Sequence, residues 1–139
     1  MSNKRRKDKY NAYQDLTNHG VEVQKEDQIR PNPGSETFRH EVAKLAVAHI
    51  GKANDYWVSS EVEMPHGRAD IVLWGNPDRL TYVVELETGW LEETKTEKLQ
   101  QYVLDQPGID DMLTVEVTDL PEHTMDILDN VSKQIGLAP

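Results

Sequence analysis

The residues best able to do chemistry lie within positions 66–90, HGRADIVLWGNPDRLTYVVELETGW. Read with a period of two, RADIVLW sets Asp70, Val72 and Trp74 on one face of a strand. YVVELET sets Val83, Glu85 and Glu87 on one face of the next. Two neighbouring strands therefore present three carboxylates. Glu85 and Glu87 flank the apolar Leu86, and burying such acids is costly unless a cation lies between them. A divalent metal ion is the simplest such cation, because hard cations are held by carboxylates that project into one small volume.

The rest of the composition bounds what that site can serve. The chain has 139 residues, a length that suits one domain with a sizeable core. Fifteen basic residues against twenty-five acidic ones give a net charge of −10, which argues against a broad cationic surface and against an anionic membrane as partner. It leaves room for a phosphate-handling site that works through bound metal. The acidity resembles that of proteins from salt-loving microbes and implies a halophilic archaeal or viral source. At 1 M salt the Debye length is only about 3 Å, so self-repulsion is largely screened. No cysteine is present, excluding disulfides, thiolate zinc sites and cysteine nucleophiles. The apolar runs are too short to cross a bilayer and the N-terminus lacks a signal-peptide core, so a soluble cytoplasmic protein is expected, without membrane association.

The elements that must position the acids follow from local patterns. Residues 1–34, containing KRRKDK and ending near RPNPGS, read as a basic flexible tail without core contacts, with at most a helical turn at YNAYQDL. Lys4, Arg5, Arg6 and Lys7 there are either a nucleic-acid-touching arm or a solubilising terminus. The folded domain is expected over 35–139. Ser35 caps a helix over 36–51 that ends at Gly51, with Phe38, Val42, Leu45 and His49 on its buried stripe. Glu41, at the edge of that stripe, either reaches solvent or points into a site between helix and sheet. His40 and Glu41 open an HExxH pattern, but Lys44 stands where its second histidine is needed, so that zinc motif is excluded.

Residues 56–64 alternate as a strand, with Val58, Ser60, Val62 and Met64 on one side. PHG and GNPDR supply the turns that make an antiparallel meander with the two acidic strands. A helix over 91–105 directs Leu91, Leu99, Tyr102 and Val103 to the sheet. Lys95 falls on the same stripe and Lys98 at its edge; such lysines ordinarily extend outward along their stems, yet here two of them lean toward three acids. MLTVEV at 112–117 reads as a strand parallel to the third, and a closing helix begins near Pro121. The expected class is α/β, an α-β-β-β-α-β core with a C-terminal helix and a mixed sheet flanked by helices.

From residue 36 to about 118 this pattern resembles the PD-(D/E)XK nuclease superfamily, with its restriction-endonuclease-like fold. The resemblance rests on Glu41 in the first helix, Asp70 after GRAD in the second strand, and Glu85 with Glu87 as an ExE in the third. It rests also on KLQQY in the next helix, where Lys98 and Tyr102 stand at the glutamine and tyrosine positions of the QxxxY element of RecB-type nucleases. It implies a DNA nuclease using Mg²⁺ or Mn²⁺, with Asp70, Glu85, the Leu86 carbonyl and Glu41 as ligands. The chain departs from the family at Glu87, where a catalytic lysine is expected. Lys98 or Lys95 takes over that work, or Glu87 is a further ligand, or catalysis is lost. Arg68 is a candidate phosphate contact or a strand-edge charge, and Tyr102 orients a lysine or DNA or belongs to the core.

Three functions remain open at this point: an active nuclease, a catalytically silent restriction-like domain serving DNA binding or protein interaction, and an acidic α/β protein whose carboxylates bind stabilising cations. A homodimer is compatible with the first, since many restriction-like enzymes cut two strands as dimers.

Overall fold

Glycine-containing turns fold the chain back twice in quick succession, and the sheet grows outward from that meander. The computed structural model describes residues 3–27, 29 and 37–139. In chain order these form α1 (Asn3–Asn18), α2 (Phe38–Ala53), β1 (Trp57–Met64), β2 (Gly67–Trp74), β3 (Tyr82–Glu87) and α3 (Glu92–Leu99). A π-helical turn (Gln100–Leu104) prolongs α3, and β4 (Asp111–Glu116), a 3-10 turn (Val117–Asp119) and α4 (Thr124–Ile135) complete the chain. The sheet order is β1-β2-β3-β4. β1, β2 and β3 are antiparallel, and β4 runs parallel to β3 across the α3 connection. The architecture is the expected α/β one, a mixed sheet flanked by helices with a helix closing the chain.

Two cores lie on the two faces of the sheet. α2 and α4 cover one, around Val47, Ile50, Ile71, Val84, Val115 and Val131. α1 and the π-helical turn cover the other, around Leu16, Val62, Val72, Trp74, Val83 and Tyr102. The expectation of an unpacked N-terminal tail is thereby corrected. Ala12, Tyr13 and Leu16 follow one another at helical spacing and pack on Trp74 and its neighbours, and Val21 and Val23 are buried in the same core. Segment 21–27 then guards the outer edge of β1, which no strand pairs among the described residues. Glu22 N donates to Glu63 O at 2.9 Å, the Gln24 side chain exchanges hydrogen bonds with the Ser60 backbone, and Val58 N donates to Asp27 Oδ1 at 2.8 Å.

α2 also sits differently from its expected orientation. Phe38 is 77% exposed, and Leu45 and His49 also face outward. The buried face instead carries Ala43, Lys44, Ala46, Val47, Ile50 and Gly51. Small residues win because the helix lies close to the sheet: a Cβ on Gly51 would stand 2.7 Å from Leu73 Cδ2. Gly51 is thus a contact glycine inside the helix rather than its terminator. The expected cap Ser35 lies outside the described residues; Thr37 caps α2, accepting from His40 N at 3.3 Å. On α3, Leu91 is exposed rather than buried, and the helix presents Lys95, Lys98 and Leu99 as its half-buried residues nearest the sheet.

The alternation expected for β1 fails at one residue. Val58 belongs to the α2-side core whereas Val62 and Met64 belong to the α1-side core. Between them Glu61 has φ +48°, which turns the strand over. Its side chain meets Lys44 from α2, Nζ to Oε1 3.5 Å, with both residues buried. The cross-strand pairing steps from Ser60↔Ile71 to Val62↔Ala69, so Glu61 lies opposite Asp70 in the ladder. Among the described residues, no helix is long and apolar enough to cross a membrane.

Candidate active site between two splayed strands

β2 and β3 pair at Ile71↔Val84, Val72↔Val83 and Leu73↔Tyr82, and the pairing stops one residue short of Asp70 and Glu85. Side chains take over from there. Asp70 N donates to Glu85 Oε2 at 2.9 Å, and Leu86 N donates to Asp70 Oδ2 at 2.8 Å. Each carboxylate uses one oxygen to hold the other strand's backbone. The second oxygen of Glu85, Oε1, faces the Lys98 ammonium at 3.9 Å. Within a strand the N–H and C=O of one residue point the same way, so the Leu86 carbonyl also faces β2.

Glu85 is only 2% exposed, and its carboxyl is pushed well above the usual glutamate range. Burial is the main cause, followed by the Asp70 charge and hydrogen bonding with it; Lys98 opposes the shift. Crowded like charges of this kind are relieved either by a shared proton or by a cation. For the metal-free protein the stability consequence has a definite sign. The folded-state pKa lies above the reference 4.5, so protonation favours the folded state, and stability falls as pH rises from about 4.5 through the raised value. Glu85→Gln removes that loss. In EDTA, the melting temperature of Glu85→Gln is expected to exceed that of wild type by a margin that widens between pH 5 and pH 8; a margin independent of pH would contradict the assignment.

α3 brings the counter-charges. Lys98 Nζ lies 3.9 Å from Glu85 Oε1 and donates to the Tyr102 hydroxyl at 3.3 Å, which in turn donates to Arg68 O at 3.2 Å. Burial on its own lowers the Lys98 pKa, but Glu85, Tyr102 and Asp70 outweigh it and hold the ammonium above its ordinary value. The π-helical turn, closed by Asp105 N to Gln100 O at 2.8 Å, contains Tyr102. Such turns recur at functional sites. Lys95 goes elsewhere: its Nζ is 3.2 Å from Glu87 Oε1. Glu87 is buried and stands opposite Glu116 in the β3–β4 register. Burial first, then Glu116, raises the Glu87 carboxyl, while Lys95 lowers it.

Of the residues singled out from the sequence, the structure unites Asp70, Glu85, Leu86, Lys98 and Tyr102. Glu87 and Lys95 form a separate pair with Glu116 beside them. Glu41 lies on the exposed side of α2, and among the described residues no group of three or more carboxylate or histidine ligands comes together. The expected direct contribution of Glu41 is therefore corrected to a two-carboxylate centre, because α2 is turned the other way. Arg68 is engaged by Glu63, Nη2 to Oε1 2.6 Å. Tyr102 is 2% exposed, so it holds a lysine rather than stacking on nucleic acid. Lys4, Arg5, Arg6 and Lys7 are exposed on α1; Lys4 and Arg5 line a cavity with Gly75, Asn76 and Arg79, at the end of β2 away from Asp70. The sequence reading gave Lys44 and Glu61 no part in the structure; the one signal was a lysine at the head of the apolar run LAVA in α2.

The donor set suits Mg²⁺ or Mn²⁺. Ions of this class take one or two carboxylates and complete their shell with water and substrate phosphate. Asp70, Glu85 and the Leu86 carbonyl are the groups at this point that could hold such an ion, as two carboxylates held on adjacent strands and one backbone oxygen. Compared with protein-family models, curated proteins and solved structures, the chain matches none.

Proposed function

We propose that the protein is a metal-dependent nuclease that hydrolyses phosphodiester bonds in DNA. The observation that carries this reading is the Asp70–Glu85 pair at the point where β2 and β3 splay, with the Lys98 ammonium 3.9 Å from Glu85 Oε1. Asp70, Glu85 and the Leu86 carbonyl would hold Mg²⁺ or Mn²⁺. When bound, the ion lowers the pKa of a coordinated water and polarises the phosphate. Lys98 stabilises charge developing on the phosphate oxygens as the water oxygen bonds to phosphorus and the ester P–O bond breaks. Tyr102 fixes the lysine from behind.

Lys98 thus does from α3 the work expected of a lysine at position 87. A homodimer belongs to the same proposal, since the exposed Phe38 and Leu45 offer a second copy an apolar surface. The test is cleavage of labelled linear, nicked, branched and single-stranded DNA with Mg²⁺ or Mn²⁺ at low and high salt, wild type beside Asp70→Asn. Cleavage by wild type alone is expected. Equal cleavage by Asp70→Asn would overturn the assignment, and DNA binding without cleavage in any condition would establish a catalytically silent binding module.

A further inference from the structure

The sharp division of charge along the chain has a use. Residues 1–25 hold six basic and three acidic residues, and the remainder nine basic and twenty-two acidic. Five of the six cations of the first group are ordered on α1, interleaved with aromatic rings. Arg6, Lys9, Tyr10 and Tyr13 recur at i, i+3, i+4 and i+7, so they share one helix face. With Lys25 from the following segment they line a groove of about 240 Å³ whose lining includes no carboxylate. Tyr13 anchors the floor, its ring 6.3 Å from Trp74, and Lys25 Nζ lies 5.4 Å over that ring. Tyr10 is 63% exposed. Beside the groove, Lys9 Nζ stands 3.7 Å over the Trp57 ring.

We infer that this groove binds single-stranded DNA, with a base stacked on Tyr10 and the flanking phosphates met by Arg6, Lys9 and Lys25. Cations without acids select a polyanion, and on a chain of net charge −10 such a patch stands out locally. An exposed aromatic ring between those cations adds what a duplex cannot use, a platform for an unstacked base. The groove also lies on the sheet face that carries the carboxylate pair. Trp74, beneath Tyr13, is four residues along β2 from Asp70, about 13 Å at strand rise. A single strand leaving the site crosses α1 there. The inference deepens the nuclease reading by naming the form of the substrate, and rests on that reading for where the strand leads.

The test is fluorescence anisotropy with the full chain in EDTA, so that binding is read without cleavage. The probes are labelled oligo-dT, a hairpin duplex of equal charge, and polyphosphate as competitor. Wild type is expected to prefer oligo-dT, and Tyr10→Ala to weaken that binding about tenfold, with Tyr10→Phe near wild type and the melting temperature of both unchanged. Arg6→Ala is expected to reduce the salt dependence of log K by about 0.7. Unchanged binding by Tyr10→Ala, duplex preference, or polyphosphate competing as well as unlabelled oligo-dT would each overturn the proposal. Binding that persists while wild type fails to cleave in metal overturns only the nuclease reading. Cleavage that persists while Tyr10→Ala binds oligo-dT normally overturns only the groove.

Discussion

Lys98→Ala is expected to slow metal-supported DNA cleavage by about a hundredfold to a thousandfold, the loss typical of removing one preorganised stabiliser of transition-state charge. Nothing in the sheet should move. Lys98 lies half-buried on α3, where its ammonium meets Glu85, the Tyr102 hydroxyl and the Trp90 ring, and Tyr102 keeps its bond to Arg68 O without it. Its loss should lower kcat and leave Mn²⁺ affinity, read by calorimetry, within a fewfold, because the carboxylates keep their backbone partners. Lys95→Ala serves as the control. Its ammonium is taken up by Glu87, so its rate should stay near wild type. A second route to the same lysine runs through Gly67, whose φ is +151° and whose added Cβ would stand 2.6 Å from the Tyr102 hydroxyl. Gly67→Ala should push that phenol off Arg68 O, release Lys98 and lower kcat in the same direction but less. If Lys95→Ala is the slow variant, the charge-stabilising role belongs to Lys95.

The legible part of this arrangement was the part with a short period. Alternation over 68–74 and 82–87 set the acids on two strands, tight turns made them neighbours, and helical spacing put Lys95 and Lys98 over them. What escaped the sequence were features decided by tertiary packing. On α2 the largest apolar residues, Phe38 and Leu45, suggested the buried face, but close approach of helix to sheet rewards small residues such as Ala43 and Gly51. On α1 the run of Lys and Arg in the first turns concealed Ala12, Tyr13 and Leu16 at helical spacing, and packing against Trp74 orders the helix despite its poor local signal. The reciprocal hydrogen bonds of Asp70 and Glu85 depend on where a ladder stops, which no periodicity records.

Lys44→Ala is expected to be the most destabilising single change of those above, about 3–5 kcal/mol, because it breaks a buried ion pair by removing the Lys44 ammonium from Glu61. For a domain of this size that corresponds to a fall in melting temperature of about 10 °C or more. Lys44 is 1% exposed and its ammonium lies 3.5 Å from Glu61 Oε1. Glu61 in turn holds a left-handed backbone, φ +48°, of the kind that costs about 1–3 kcal/mol and persists where its surroundings impose it. The residue opposite it is Asp70. The pair therefore ties α2 to β1 at the residue opposite Asp70. Urea denaturation of Lys44→Ala, Glu61→Gln and the double variant Lys44→Met with Glu61→Gln separates the two contributions. The double variant should recover most of the stability, since a buried ion pair replaced by neutral groups of similar volume is often tolerated. If the pair also positions Asp70, the recovered fold should still bind Mn²⁺ more weakly than wild type. Recovery of both stability and metal binding would confine Lys44 and Glu61 to the core, and a cost below about 1 kcal/mol for Lys44→Ala would remove the tie altogether.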